Sequence, residues 1–423
     1  MNSRCLSLLC LAAFASVSTP ADDFPQWRGP NRDGISLETG LLKSWPKEGP
    51  KLLWQVKSAG GGFSTPSVAN EQVVLLGDEG LENEFVKALS VADGKELWTT
   101  RIGNVGEPNQ RPAYPGPRST PTIDGDRIYV LGSDGDLVCL DQKTGKIRWQ
   151  KNVRQEFGGK PGRWAYSESP LVDGDAVLCT PGGESATMVA LNKMTGDTIW
   201  KAVVPGGDAA AYASIMISHA DGLKQYVQFV EKGVIGVNAK DGTFLWRWDR
   251  PAQGSPANIP TPVVFEDYVF AGSGRAGGGL AKLKIQDQKA EVEQIYFEQK
   301  APTAIGGAIK VGSELYGSAS RALLCLDFLT GRIKWESGDI GAASLLFAQG
   351  LIFLHDEGNG QVVLIEASPE SYRERGRFTP PDMPELGRSK SWAYPVIANG
   401  RLYIRNLNML WCFDIRDRSV ATR

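Results

Sequence analysis

DQKTGKIRW, residues 141–149, returns in four variants along the chain: SVADGKELW (90–98), NKMTGDTIW (192–200), NAKDGTFLW (238–246) and DFLTGRIKW (327–335). In every copy glycine stands four residues before tryptophan, and Thr or Asp stands just before the glycine. Glycine takes the positive φ of a tight turn without steric cost, and Thr or Asp tolerates the bend. The alternating residues that follow resume a strand. The phrase therefore predicts a hairpin whose second strand carries the tryptophan.

Working outward from this phrase, the flanking sequence repeats as well. Over residues 119–153, STPTI opens a strand, Asp124-Gly125-Asp126 turns, and RIYVLGS forms a second strand. Ser133-Asp134-Gly135 turns again, DLVCLD is a third strand, and KIRWQK after Gly145 is a fourth. Four short antiparallel strands per repeat make a propeller blade. Trp98, Trp149, Trp200 and Trp246 recur at intervals of about 50 residues, and Trp335 follows after nearly twice that, leaving room for a degenerate blade around Tyr296 and Phe297. A second degenerate blade runs from Ala343 to about Phe378. The last stretch, 393–416, holds only three strands, whereas LLWQV (52–56) is a tryptophan strand with no blade before it. The economical reading is an all-β, eight-bladed β-propeller of four-stranded antiparallel blades, closed by an N-terminal strand carrying Trp54. Closure removes the sheet edges that invite aggregation. If one degenerate unit is an insertion, the count is seven.

The tryptophans read as packing residues that fill the space between blades. Small residues on the third strand (Ala88, Cys139, Ala190, Gly236, Cys325, Cys412) leave room for them. Cys139, Cys325 and Cys412 thus occupy one position of three repeats, too far apart to bridge. With Cys179, they read as buried small residues and not as disulfides.

Composition is that of an ordinary globular chain: 423 residues, 42% hydrophobic, 22% charged, net charge -2. No Lys/Arg cluster offers a footprint for nucleic acid. Residues 1–21 read as a secretory signal peptide, with Arg4 in its basic region, an apolar run over 6–17, and small Ala21 at its end. That run is too short to span a bilayer, and no later segment is apolar enough to do so. Leu9 before Cys10 is too bulky for a lipoprotein box, so no lipid anchor is expected. Residues 22–50 form a lead-in segment, 51–416 a single propeller, and 417–423 a tail. The expected location is periplasmic or secreted, and the expected state a monomer.

The pattern small–x–Asp/Asn–x–x–Thr/Asp–Gly–x–x–x–Trp resembles the repeat of PQQ-like propellers, a family that includes quinoprotein alcohol dehydrogenases and the BamB lipoprotein of the β-barrel assembly machinery. The lead-in FPQWRGPNRDGIS (24–36) is similar to the start of PQQ-like propeller proteins of environmental bacteria. The resemblance implies the fold and leaves function to the site. In the dehydrogenases it implies PQQ held between a tryptophan and a disulfide of adjacent cysteines, with Ca²⁺ and an aspartate base. This sequence has no adjacent cysteines and no C-x-x-C-H haem motif. No cofactor is therefore expected, with PQQ and Ca²⁺ the alternative.

Short turns between strands one and two, and three and four, leave one face. On the other lie the interblade loops and the loops between strands two and three: GNVGEPNQRPAYPGPR (103–118), RQEFGGKPGRWAYS (154–167), GSGRAGGG (272–279) and TPPDMPELGRSKSW (379–392). Long loops on a rigid scaffold are where function is usually placed. Each interblade loop descends into an innermost strand, which makes Arg118, Trp164, Glu168, Arg275 and Trp392 the candidates for the channel rim. His219 and His355 have no partner at metal-ligand spacing, so no metal site is expected. GSGRAGGG reads either as an anion cradle or as an ordinary glycine-rich hairpin. Three functions remain: an exported binding scaffold holding an envelope protein or peptide on the long-loop face, a PQQ-dependent oxidoreductase, and a glycan or small-ligand binder with Trp164, Tyr166 and Trp392 as stacking platforms. The first is the leading expectation, with no catalytic residue assigned.

Overall fold

A computed structural model describes residues 23–110, 114–286, 289–387 and 389–419. The expected leader (1–21) and the last residues of the tail lie outside them. Seven sheets of four antiparallel strands follow one another, over residues 67–103, 122–152, 171–202, 216–248, 263–298, 308–337 and 343–378. These are blades 1 to 7. Blade 8 takes three strands from residues 396–414 and its outer strand from Lys51–Val56, with Trp54 directly opposite Cys412. The ring is shut by its own N-terminal strand, and the count is eight.

The repeated phrase does more than turn a hairpin. Each tryptophan stands across the ladder from the small residue foreseen for it, Trp98 on Ala88, Trp149 on Cys139 and Trp335 on Cys325. The indole then reaches the next blade and lies on the glycine of that blade's own phrase. A Cβ at Gly94, Gly145, Gly242 or Gly331 would stand 2.4–2.7 Å from the ring of Trp54, Trp98, Trp200 or Tyr296. The indole N–H donates to the carbonyl that opens the same turn: Trp54 to Val91 (3.0 Å), Trp98 to Gln142 (3.2 Å), Trp149 to Lys193 (3.0 Å). In degenerate blade 5 the Tyr296 hydroxyl does this to Phe328 O (3.0 Å). Glycine is therefore needed twice, for its positive φ and for the neighbour's ring. The cysteines 139, 179, 325 and 412 are buried and unbridged.

The lead-in is not a separate appendage. It crosses the channel at the short-turn end and ties the blades together. Phe24 bridges Val68 of blade 1, and Pro25 O accepts from Ile123 N of blade 2. The Arg32 guanidinium donates to Ser169 O and Pro170 O before blade 3 and to Ile215 O before blade 4. Arg28 reaches Ala308 O of blade 6 (2.6 Å). Ile35–Ser36 adds a fifth, parallel strand inside blade 7, and Leu41 bridges Arg416. Blade 7 has Gly376 where six blades have tryptophan and blade 5 has Tyr296, and Trp45 of the lead-in fills that place, packing on Phe378 (5.2 Å).

Two loop expectations need correction. GSGRAGGG is a tight hairpin, because strands Tyr268–Ser273 and Gly277–Gln286 pair almost to its tip. In the loop over 154–167, Val153–Phe157 forms a one-turn helix capped by the Asn152 side chain, which accepts from Gln155 N. Among the described residues no helix is long and apolar enough to cross a membrane.

Candidate functional site

The inner strands begin with a recurrent hydroxyl-plus-proline pair: Thr65-Pro66, Thr120-Pro121, Ser169-Pro170, Thr261-Pro262. Proline suits the first residue of a strand, where its missing N–H breaks no ladder. The hydroxyl closes the seam to the preceding blade by accepting a backbone N–H. Ser169 Oγ accepts from Thr120 N (2.9 Å), Ser214 Oγ from Ser169 N (3.0 Å), and Thr261 Oγ1 from Ser214 N (2.9 Å). Thr65 Oγ1 accepts from Tyr394 N (2.9 Å). A partial collar of hydroxyls thus surrounds the long-loop end of the channel.

Above this collar the interblade loops enclose a bowl of about 380 Å³, within the size range of small-molecule sites. Its walls are aromatic. Trp392 packs against Phe63 (4.7 Å) and edge-on to Tyr114 (5.0 Å), and Trp164 faces Tyr212 (5.9 Å). The floor is Trp27 of the lead-in, set edge-on to Tyr394 (6.0 Å). Arg28 and Arg32 hold Trp27 from below, their guanidinium carbons 5.2 and 5.6 Å from its ring, within cation–π range. The bowl is therefore blind: the chain's own N-terminal segment stops the channel.

The rim carries three charges. Arg118 donates through Nη1 to Trp164 O (2.9 Å) and Gly116 O (3.2 Å), and through Nη2 to Gln110 Oε1 (3.1 Å) and Tyr114 O. Its guanidinium sits 5.6 Å from the Phe63 ring. Burial pulls its pKa down to about 10. Glu357 lies beside Lys390 and Trp392, and burial raises its carboxyl above the ordinary range against their pull.

Three of the five rim candidates meet here: Arg118, Trp164 and Trp392. Glu168 does not line the bowl. It is 2% exposed, one Oε accepts from Thr180 N (2.7 Å), and burial pushes its carboxyl up to about 8. Thr180 N of blade 3 holds it inward, while its neighbour Ser167 is left on the wall. Arg275 lies at the exposed tip of the blade 5 hairpin, away from the bowl, because the loop expected to carry it inward is too short. Tyr166 is no stacking platform: it is buried in the core, its hydroxyl donating to Pro181 O (2.8 Å). His355 is buried with Nδ1 2.9 Å from Ala393 O, and burial lowers its pKa. Trp27, Phe63, Tyr212, Tyr394 and the hydroxyl collar were missed. The repeated hydroxyl–proline pair was a signal for the collar, and nothing local marked Trp27.

Fold and bowl together define a PQQ-like propeller with a blind, aromatic-walled recess on its long-loop face. A family model described as outer membrane protein assembly factor BamB matches residues 82–337, and the chain belongs to that family. It is 25% identical over 260 residues to the outer membrane protein assembly factor BamB of Burkholderia pseudomallei, covering 58% of this chain and 60% of that one. It is 26% identical over 308 residues to the quinoprotein alcohol dehydrogenase PedH of Pseudomonas putida, covering 65% and 49%. The chain thus spans three fifths or less of these relatives' length. The crystal structure of BamB from Moraxella catarrhalis superposes with a TM-score of 0.59 at 14% identity, covering 83% of this chain and 96% of that one, a likeness of fold alone.

The quinoprotein relatives raise the question of whether the bowl suits PQQ and Ca²⁺. Calcium takes six to eight oxygen ligands, but Glu357 is the bowl's one carboxylate, and among the described residues no three His, Cys, Asp or Glu side chains converge as a metal site. Four hydrogen bonds of Arg118 already go to the protein's own oxygens, leaving little for the quinone's carboxylates. The donor set does not fit that group.

Proposed function

We propose that this chain is an exported, non-catalytic binding propeller that holds a protein or peptide partner of the cell envelope through its long-loop face. Membership of the BamB family supports a binding role. The observation that carries the choice of face is the bowl itself: all its walls come from interblade loops, the turn after strand two of blade 7, and the lead-in. The opposite end is stopped by the lead-in and bounded by short turns. The long loops that surround the recess offer a partner an extended rim on a rigid scaffold, where recognition is usually placed. Export is proposed from the leader-like sequence of residues 1–21.

The test is photo-crosslinking in the native host, with a benzophenone amino acid at position 385 in the long loop or at position 241 in a short turn of the other face, both exposed. A defined adduct from 385 and none from 241 supports the reading. Adducts from 241 alone, or from neither, sink it. The competing dehydrogenase reading predicts dye reduction by the purified protein with PQQ, Ca²⁺ and a primary alcohol. The proposal predicts none.

A further inference from the structure

The bowl's two chemistries do not match one another, and the mismatch points to a ligand. Its walls present aromatic faces, but its base presents hydroxyls whose hydrogens have no acceptor. Thr65, Ser214 and Thr261 each take a backbone N–H on oxygen and donate to nothing among the described residues. The three are 2%, 3% and 6% exposed. Ser167 Oγ, on the same wall, is buried with no hydrogen-bond partner among the described residues. An apolar side chain seated here would leave these donors against hydrocarbon, unsatisfied. An anion finds the Arg118 guanidinium committed to four protein oxygens. A flat heteroaromatic finds no slot, because the neighbouring rings meet at 49°, 66°, 56° and 77°.

A pyranose satisfies both chemistries. Its axial C–H faces stack on aromatic rings, and its ring and hydroxyl oxygens accept from O–H donors. Glu357 and Lys390 at the mouth supply an acceptor and a donor for further hydroxyls. We propose that the bowl takes a single pyranose unit of a neutral saccharide, stacked on Trp392 or Trp164 and hydrogen-bonded at its base by the collar of Thr65, Ser214 and Thr261. This rests on the bowl being a binding site. It does not depend on which polypeptide the outer loops hold.

The experiment is a tryptophan-fluorescence and calorimetric titration of the full exported chain with gluco-, galacto-, manno- and N-acetylglucosamine disaccharides, and with N-acetyltryptophanamide as the peptide-like probe. The expected result is saturable binding of at least one disaccharide. Trp392→Ala weakens it at least tenfold. The Ser214→Ala/Thr261→Val pair keeps the aromatic walls and does the same. Because it also strips Ser169 N and Ser214 N of their acceptors its melting temperature falls, and an unchanged circular-dichroism spectrum at the titration temperature shows that the fold is retained. Trp200→Phe, on an outer strand, leaves affinity unchanged. Failure of every sugar to saturate, equal binding by the Ser214/Thr261 variant, or binding of N-acetyltryptophanamide in place of sugars would each overturn the proposal. A crosslinked protein partner at position 385 would survive any of these outcomes.

Discussion

Gly145 carries the indole of the neighbouring blade directly on its Cα. Its φ is +70°, and a Cβ there would lie 2.4 Å from one ring carbon of Trp98 and 2.5 Å from another. Carbon pairs are comfortable at about 3.5–4.0 Å, so Gly145→Ala intrudes by more than an ångström. The left-handed backbone costs about 1 kcal/mol for a residue with a Cβ, and overpacking a filled seam adds about 1–3 kcal/mol. The expected loss is about 3 kcal/mol. Gly125 supplies the control: its φ is +58° but nothing lies within 4 Å of its Cβ position, so Gly125→Ala should cost only about 1 kcal/mol. The assay is urea denaturation of both variants, and of Gly145→Ala in a Trp98→Leu background, where the smaller side chain should recover about half of the excess. A cycle of this kind isolates the pairwise effect. If Gly145→Ala costs no more than Gly125→Ala, or if Trp98→Leu does not relieve it, the ring-on-glycine explanation of the repeat is wrong.

Glu84 is fully buried, accepts from Ser133 N (2.8 Å), and is pushed by burial up to about 8, as is Glu168. A carboxyl raised above its unfolded value of about 4.3 keeps its proton longer when folded, so stability falls as pH climbs from about 4 to 8. Glu84→Gln should flatten that slope in melting temperatures taken from pH 5 to 9, and an unchanged slope would refute the assignment. Arg32→Ala removes the bonds to Ser169 O, Pro170 O and Ile215 O and the cation beneath Trp27. It should cost about 2–4 kcal/mol and expose residues 23–50 to limited proteolysis; a lead-in that stays protected counts against its role as a stopper. The thiols of Cys139, Cys325 and Cys412 are raised by burial, the last two to about 11 and about 12, and Cys179 is buried with them. Ellman's reagent should therefore find none of these four thiols fast in the native protein and all four of them after denaturation. Rapid native labelling would show that the blade seams open.

Legibility differed between scaffold and site. The phrase from Asp141 to Trp149 showed the hairpin, the blade and, by recurrence, the ring, because all of these depend on neighbours close in sequence. Even the odd strand at Trp54 could be placed by subtraction. The site was read only in part. Arg118, Trp164 and Trp392 sit at the ends of long loops entering inner strands, and that rule of position found them. It failed for Glu168, which is drawn inward by Thr180 N, and for Arg275, whose loop collapsed into a paired hairpin. Trp27 was out of reach, since it lies far from the loops it meets.

What the sequence determined alone is the kind of blade, for turn and strand chemistry is local and the glycine–tryptophan spacing repeats it in plain view; it favoured eight blades over seven, and the closed ring decided for eight. What the tertiary structure decided is that the channel is stopped, that Trp45 fills the place of blade 7's missing aromatic ring, and that seven aromatic residues and a hydroxyl collar share one recess. Those facts join residues hundreds of positions apart, such as Phe63 with Trp392 and Arg28 with Ala308. Only closing the ring brings them together, because no local propensity encodes which blade an interblade loop or a lead-in will face.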